Sequence, residues 1–201
     1  MVTLEEKWNA IYSGEIKTSN FLQLEEIQLS EIFEFFPNAR SAFDIGCGRG
    51  KLLSQLEDRG IITTGIDVSS IAVEAAKRVS KATLYVGDFE KFSFPEEMKF
   101  DLIFVKFVLA YIKKKEEFIA RISGLLNDGG GLVIVSPVML KNKRAVDEIF
   151  IEQELLNKLI SRYFSLKKEC ILHEEGDKKL SLYILGKKTQ PEADIKEGKK
   201  Y

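Results

Sequence analysis

Five short apolar segments, each bounded by Gly or Asp, constrain the fold of this chain more than any other feature. The segments are SAFDIG (41–46), IITTGID (61–67), ATLYVG (82–87), FDLIFV (100–105) and GLVIVS (131–136). Continuous apolar runs of this length are typical of strands buried on both faces, and such strands are usually parallel. Right-handed crossovers between them predict a doubly wound α/β sheet, whose ligands bind beyond the carboxyl ends of the strands.

Helical periodicity fills the gaps between these strands. The predicted connecting helices cover 50–59, 70–80 and 114–126. Gly60 closes the first of them, and Ser69 or Ser70 caps the second. Strand and helix therefore alternate along the chain, as a doubly wound sheet requires.

A further amphipathic helix is predicted over 20–36, ahead of the first strand. Asn20 and Gln23 resemble a capping box at its start, and Pro37 ends it. We expect residues 1–36 to form a helical cap on the domain.

The last third of the chain departs from the alternation. A helix is predicted over 145–163, followed by strands over 164–172 and 180–186 with a hairpin around Gly176. Antiparallel strands commonly complete a parallel sheet. We therefore predict one doubly wound, mostly parallel sheet of seven strands that ends in a C-terminal antiparallel hairpin.

The length of 201 residues and the 45% hydrophobic content fit one folded domain. We expect its core to cover 37–187. Residues 188–201 are charged and almost free of apolar side chains, so we predict a disordered tail.

Charge and cysteine content exclude several classes of protein. The 30 Lys and Arg residues balance 31 Asp and Glu residues, which argues against nucleic-acid binding and anionic membranes. Cys47, Cys170 and His173 are too few for a disulfide framework or a metal site of Cys and His. The chain begins without a leader pattern and contains no spanning apolar stretch, so we expect no membrane partner and a cytoplasmic location.

The strongest local motif is the glycine loop that joins the first strand to the first connecting helix. Gly46, Gly48 and Gly50 have the spacing G-x-G-x-G, and Asp44 lies two residues ahead of them. A dinucleotide fingerprint needs G-x-G-x-x-G, but Lys51 occupies the position of its third glycine. Glycines allow close backbone approach to a ligand, so the loop predicts a cofactor site of another type.

This acidic loop resembles the glycine motif of the class I S-adenosylmethionine-dependent methyltransferases, and the resemblance extends over about residues 40–136. It implies S-adenosyl-L-methionine as cofactor and S-adenosyl-L-homocysteine as product. The residues that the resemblance implies at the cofactor are Asp44, Gly46, Cys47, Gly48, Gly50, Asp67, Val68, Asp88, Phe89 and Val105.

The resemblance also implies individual roles. Asp67 matches the family's acidic residue that pairs with both ribose hydroxyls, and Asp88 with Phe89 matches the pair that meets the adenine. Asp67 as a helix cap and Asp88 as a turn residue are the plainer alternatives. The stretch from Phe100 to Ile103 with Val108-Leu109 is similar to the family's fourth-strand motif, and LLNDGGG (125–131) to its turn before the fifth strand.

Near the predicted acceptor site, the chain resembles the family's small-molecule members in one segment and departs from them at one position. Trp8 and Tyr12 resemble the W-x-x-x-Y segment that folds over the cofactor, although an apolar staple onto the core is an equal alternative. Tyr111 stands where many members have His, so no His-based role is carried over. The stretch 105–107 lacks the Asn-Pro-Pro-Tyr motif, which argues against amino methylation of bases or of protein glutamine.

Methyl transfer from a sulfonium mainly requires positioning and exclusion of water, so no metal or nucleophile is expected. The catalytic residue stays undefined, with Tyr12, Lys106 and Tyr111 as the candidates. The predicted function is an S-adenosylmethionine-dependent methyltransferase of a small-molecule acceptor, because no substrate domain is inserted. The alternatives are a catalytically silent cofactor-binding or partner-stabilising subunit and, disfavoured by the glycine spacing, an NAD-dependent dehydrogenase.

Basic residues predict the character of the acceptor. Lys106 follows the fourth strand, and Lys141, Lys143 and Arg144 follow the fifth, so cations from two segments should meet at the ligand edge of the sheet. We therefore expect an acceptor that carries negative charge or becomes anionic. An ordinary solvated loop over 141–144 is the alternative.

Overall fold

The computed structural model describes residues 2–15, 24–140 and 150–189. Its helices are α1 (Leu4–Ser13), α2 (Glu26–Phe35), α3 (Lys51–Glu57), α4 (Ser70–Ala76), α5 (Lys115–Leu125) and α6 (Gln153–Ser161). Its strands are β1 (Ser41–Ile45), β2 (Ile62–Asp67), β3 (Thr83–Val86), β4 (Phe100–Lys106), β5 (Leu126–Met139), β6 (Ile151–Glu152), β7 (Phe164–Glu175) and β8 (Lys178–Lys187). A 3-10 helix covers Leu109–Tyr111.

The strands form one sheet in the order β3-β2-β1-β4-β5-β8-β7, with β6 paired to β5 beside this path. The pairs from β3 to β5 are parallel, and β8 runs antiparallel to both β5 and β7. The predicted doubly wound α/β sheet is thus confirmed. In the described part of the chain, however, the sheet has eight strands rather than seven.

The extra strand lies where a helix was predicted over 145–163. Ile151 pairs with Val138 of β5 and is 2% exposed, and α6 begins only at Gln153. The start of the predicted helix at 145 lies outside the described residues, but its extension through 151–152 is wrong. Pairing with a free edge of β5 outweighs the helical periodicity of this short segment.

β5 also begins earlier than the predicted strand over 131–136. Phe100 pairs with Leu126, whereas Leu102 already pairs with Gly131, so the residues between Leu126 and Gly131 bulge out of the ladder. Gly129 lies in this bulge with φ at 78°. The predicted turn is therefore present, but it is an irregularity within the strand.

The C-terminal hairpin is confirmed. β7 and β8 pair antiparallel from Phe164 with Lys187 to Glu175 with Lys178. Gly176 turns the chain between them with φ at 59°. Both strands are longer than predicted, because cross-strand pairing continues through the polar residues beside the turn.

Two hydrophobic clusters cover the two faces of the sheet. One contains Phe43 and Ile45 of β1 with α5 and α6, and the other contains Ala42 of β1 with α2 and α3. This alternation along β1 is the period of two that an extended strand imposes. The central strands are therefore buried on both faces, as their apolar sequences predict.

The helix predicted over 20–36 begins later in the structure. α2 starts at Glu26, with a capping box formed by Glu25 and Gln28. The predicted capping residues Asn20 and Gln23 lie outside the described residues, as does most of the predicted tail. Every helix in the described ranges is too short or too polar to cross a lipid bilayer.

Gly131 provides a test of the packing between α2 and the sheet. A methyl group at this position would overlap the ring of Phe36, which is 8% exposed. We expect Gly131→Ala to lower the free energy of unfolding by about 1–3 kcal/mol. The measurement is urea denaturation.

Gly124→Ala is the matched control, because no atom lies within 4 Å of the added methyl and the site is helical. It should raise stability by up to about 1 kcal/mol. Equal midpoints for wild type and Gly131→Ala would show that Phe36 relaxes without cost.

Candidate functional site

A cavity of about 840 Å³ lies beyond the carboxyl ends of β1, β2, β3 and β4. The order of the parallel strands reverses between β1 and β4, which is where doubly wound sheets bind ligands. Residues of α1, the glycine loop, the segment after β3 and the segment after β4 line the cavity. Its volume suits a ligand of nucleotide size together with a small second molecule.

The glycine loop forms one wall of the cavity. Gly46 has φ at 75° and Gly48 has φ at 54°, a backbone conformation that other residues rarely adopt. A side chain at Gly46 would overlap Val108, and a Cβ at Gly48 would lie 2.7 Å from the Tyr12 hydroxyl. Both glycines are therefore required by conformation and by space.

Asp67, at the end of β2, is 7% exposed and joins the second strand to the glycine loop. Its carboxylate accepts hydrogen bonds from the N–H groups of Gly48 and Ser69, each at 2.9 Å. Burial raises the pKa of this carboxyl, and the N–H donors oppose the rise. A carboxylate accepts about four hydrogen bonds, so acceptor capacity remains for a ligand.

Ser69, rather than Asp67, caps α4. Its hydroxyl accepts a hydrogen bond from the N–H of Ala72 at 3.1 Å. The helix-cap alternative for Asp67 is therefore not needed to explain how α4 begins.

Asp88 lines the cavity and also forms a turn. Its Oδ1 accepts a hydrogen bond from the N–H of Glu90 at 3.0 Å, and its Oδ2 lies 3.1 Å from the Lys91 ammonium. The ring of Phe89, 4% exposed, packs edge-on against Phe118 in the core. Asp88 thus forms the turn that the plainer alternative predicts and also lines the cavity.

Asp44 is the most deeply buried charged group at the site. It is 3% exposed, and its Oδ1 has no hydrogen-bond partner within the described part of the chain. Burial raises the pKa of this carboxyl to about 7, with Asp67 adding to the rise and Lys106 opposing it. An unpartnered buried oxygen costs stability, so this atom is suited to a ligand that brings a donor.

Lys106 ends β4 beside Asp44. Asp44 pairs in register with Phe104, so Asp44 and Lys106 point to the same face of neighbouring strands. Burial lowers the pKa of the Lys106 ammonium, and the charge of Asp44 opposes this change. No ion pair joins the two side chains in the described ranges.

Phe107 lines the cavity, and its backbone conformation is a feature that the sequence did not predict. Its φ of 57° makes it a non-glycine residue in the left-handed region, and its N–H donates to the Val135 carbonyl at 2.8 Å. Such strain persists only where the surroundings enforce it, and it is common at functional sites. No sequence signal marks a phenylalanine for this conformation.

Two aromatic residues of α1, Trp8 and Tyr12, line the cavity. Trp8 lies 6.0 Å from Tyr12 and 5.4 Å, edge-on, from Tyr111, measured between ring centroids. Burial, followed by the charge of Asp67, raises the pKa of the Tyr12 phenol. The phenol therefore stays protonated at neutral pH.

Two polar contacts that sequence reasoning missed hold α1 in place. The Arg49 guanidinium donates to the Tyr12 carbonyl at 2.7 Å, and the Ser69 hydroxyl lies 2.6 Å from Oδ1 of Asn9. Of the predicted cap, α1 lines the cavity, whereas α2 contributes to the core. Contacts between residues so far apart in the chain have no local sequence signal.

Two of the residues predicted at the cofactor, Val105 and Gly50, do not line the cavity. Gly46, Cys47, Gly48 and Val68 line the cavity, as do the acidic residues described above. Val105 instead is fully buried in the hydrophobic cluster of α5 and α6, because its side chain points to that face of β4.

Gly50 also lies outside the cavity lining. It begins α3 with φ at 79°, and a Cβ there would lie 2.8 Å from that of Ala76. A glycine is therefore required at position 50 for the loop to pack against α4. Burial raises the pKa of the Cys47 thiol well above its ordinary value, which leaves Cys47 a small buried side chain.

Asp101, in the predicted fourth-strand motif, lies near the amino end of β4, whereas the cavity lies at the carboxyl ends of the strands. Its carboxylate accepts from the N–H groups of Arg40 and Ser41, at 2.8 and 3.0 Å, and from Asn127 at 2.7 Å. This residue ties β1 and β5 to β4 and takes no part in the cavity.

Comparison with known proteins relates the middle of the chain to methyltransferases. Residues 43–134 match the family described as a methyltransferase domain. The chain is 28% identical over 154 residues to an uncharacterized methyltransferase of Bacillus cytotoxicus, covering 70% of this chain and 66% of that protein. It is 31% identical over 105 residues to the dTDP-3-amino-3,4,6-trideoxy-alpha-D-glucopyranose N,N-dimethyltransferase of Streptomyces venezuelae, covering 50% of this chain and 44% of that protein. Both matches span less than two thirds of the relative.

A solved structure supports the fold. The O-methyltransferase from a trans-AT PKS multienzyme of Brevibacillus brevis, in complex with S-adenosyl-L-homocysteine, superimposes with a TM-score of 0.66 at 17% identity. The alignment covers 79% of this chain and 71% of that chain. At this level of identity, the likeness concerns the fold alone.

The buried Asp44 carboxyl predicts how stability depends on pH. Its pKa is about 7 in the folded protein against an ordinary 3.8, so between these values the folded state holds a proton that the unfolded state has lost. Raising the pH from 4 to 8 should therefore destabilise the wild type relative to Asp44→Asn, by as much as ~4 kcal/mol. The measurement is the free energy of unfolding of both proteins at pH 4, 6 and 8, without added ligand.

Asp128→Asn is the control, because that side chain is 92% exposed at the surface. Its difference from wild type should not show the change between pH 6 and 8 that is expected for Asp44→Asn. A constant difference for Asp44→Asn as well would mean that Asp44 is ionised throughout.

Proposed function

We propose that this chain is a class I S-adenosylmethionine-dependent methyltransferase that transfers a methyl group from S-adenosylmethionine to a small-molecule acceptor. The observation that carries the proposal is the convergence of Asp44, Asp67 and Asp88, from the ends of three strands, on one cavity with the glycine loop. These groups match a ligand with an ammonium, a ribose and an adenine along its length.

The amino-acid end of the donor fits beside Asp44. The unpartnered Oδ1 of this buried carboxylate needs a donor, and an α-ammonium group supplies one together with an opposite charge. Gly46 and Gly48 line the cavity and contribute no side chain of their own, which lets a ligand approach their backbone closely. The residues present therefore suit the donor at this end.

The adenosine end fits along β2 and β3. Asp67 would accept from the ribose hydroxyls with the capacity that its bonds to Gly48 and Ser69 leave. Asp88 would accept from the adenine amino group, and the segment of Phe89 would border the ring. The three acids would then act at separate points of one extended ligand.

The chain's part in the reaction is positioning and exclusion of water. When bound, S-adenosylmethionine supplies an activated methyl group on a sulfonium, which an acceptor atom displaces in line. Trp8 and Tyr12 of α1 would cover the reacting end and offer ring faces to a cation. Because the Tyr12 phenol holds its proton, it would not remove a proton from the acceptor. Lys106 and Tyr111 line the same cavity and stay candidates for contacting the acceptor.

A small acceptor suits the space that the aromatic residues border. The aromatic residues of α1 and Tyr111 border the space that the donor would leave in the cavity. A relative that methylates an amino sugar nucleotide by its name is consistent with such an acceptor. The cytoplasmic location stays a prediction.

A catalytically silent binding subunit is the alternative that shares all these features. Incubation of the purified protein with S-adenosylmethionine and panels of small acids, alcohols and amines separates the two. Methyl transfer to any of them supports the enzyme. Tight binding of S-adenosyl-L-homocysteine without transfer to any acceptor supports the silent subunit.

We expect S-adenosylmethionine and S-adenosyl-L-homocysteine each to raise the melting temperature, whereas NAD should not. A ligand that binds only the native state contributes about 2.7 kcal/mol at a hundredfold excess over its Kd. Thermal denaturation with each ligand is the measurement. Stabilisation by NAD alone would replace the proposal with a dehydrogenase.

Asp67→Ala should weaken S-adenosyl-L-homocysteine binding by roughly 1.5–3 kcal/mol, or about 10- to 150-fold, because charge-assisted hydrogen bonds to the ribose are lost. Asp67→Asn should lose less, since it keeps an acceptor oxygen. Calorimetric titration measures both affinities. Asp128→Ala, an exposed aspartate outside the cavity, should bind as wild type does. Unchanged affinity in Asp67→Ala would restrict Asp67 to its bonds with Gly48 and Ser69.

A further inference from the structure

The charged residues around the cavity are unevenly distributed. Asp67 ends β2, and the acids Asp88 and Glu90 follow β3. Lys106 ends β4, and Lys51 begins α3. Asp44 lies between these two groups and acts electrostatically on Lys106. The side of the cavity that the adenosine would not reach is therefore the more basic side.

Lys106 differs from an ordinary surface lysine. It is partly buried in the cavity wall, and the nearby positive charge of Lys51 adds to the cost of keeping it charged. Lys51 itself is exposed, so water screens its charge. Lys106 is thus the cation at the site that most needs an anionic partner.

Asp44 does not serve as the anionic partner of Lys106 once the donor is bound. The α-ammonium of S-adenosylmethionine would take the unpartnered Oδ1 of Asp44, and the sulfonium would add a further positive charge. The donor's single carboxylate leaves the reacting end with more positive than negative charge. An acceptor with an acidic group would restore the balance next to Lys106.

The backbone conformation next to Lys106 also supports a functional role for this lysine. Phe107 is held at a φ of 57°, so the chain turns out of β4 immediately after the lysine. Strain of this kind is retained where it positions a functional group. Two independent features, a partly buried charge and an enforced conformation, therefore meet at the same point of the cavity wall.

We propose that Lys106 binds an acidic group, carboxylate or phosphate, of the methyl acceptor, which makes the acceptor a small organic anion. This proposal rests on the proposed function, because it assigns the acceptor's place beside the bound donor. Lys106 then selects the acceptor by charge, and the methylated atom lies elsewhere in the same molecule.

The test uses the protein saturated with S-adenosyl-L-homocysteine and four matched probes: benzoate, phenyl phosphate, benzamide and benzylamine. Their binding is measured by calorimetry to wild type, Lys106→Met and Lys106→Arg. At least one of the two anions should bind wild type more tightly than benzamide and benzylamine do, and which one identifies the acidic group. Lys106→Met should lose about 10- to 100-fold of that anion's affinity, and Lys106→Arg should retain most of it.

Lys77→Met is the control variant, because the Lys77 ammonium pairs with Glu74 of α4 and both side chains are more than half exposed. It should bind the anions as wild type does. Equal binding of anions and benzamide to wild type, or full anion binding to Lys106→Met, would overturn the proposal.

A second arm separates this role from binding of the donor's own carboxylate. Lys106→Met should leave the affinity for S-adenosyl-L-homocysteine within about threefold of wild type, which also shows that the variant is folded. If it weakens S-adenosyl-L-homocysteine more than tenfold but not 5′-methylthioadenosine, which lacks the amino-acid end, Lys106 holds the donor and the acceptor proposal fails. Failure of wild type to bind S-adenosyl-L-homocysteine at all would instead refute the proposed function.

Discussion

The parallel pairing of β1 with both β2 and β4 is the constraint on which the site depends. Parallel strands end at the same edge of the sheet, so residues far apart in the chain meet there without any local contact between them. The pairing brings Asp44 beside Lys106 and sets the glycine loop against Asp67. The hydrogen bond from the Gly48 N–H to the Asp67 carboxylate then joins the first and second strand ends directly.

The cavity keeps charges that folding alone would disfavour. Asp44, with an unpartnered oxygen, is buried and Lys106 is partly buried, and no ion pair joins them in the described part of the chain. Burial of this kind costs free energy, and a ligand that carries complementary groups offsets the cost. The same reasoning links the strained Phe107 to the site, because strain and unpaired charge occur together at the end of β4.

The glycine loop, the three strand-end acids and the hairpin around Gly176 could be predicted, because each rests on local residue chemistry or on a strong apolar period. The position of β6 could not, since Ile151 pairs with the far end of β5, which only the assembled sheet presents. The surroundings of Val105 and Gly50 also depend on the fold, because strand alternation turns the Val105 side chain into the core and α4 packs against Gly50. The bonds from Arg49 and Ser69 to α1 also depend on the assembled fold.

The amino-acid sequence by itself determined the doubly wound class of the fold, its glycine loop and the acidic residues that follow its strands. These features follow from apolar periodicity and from residue types that only certain turns accept. The tertiary structure alone decided which charges face one another, how deeply each is buried and where α1 closes the cavity. The physical reason is that burial and electrostatic coupling depend on distances between residues that are remote in the chain, which no local pattern encodes.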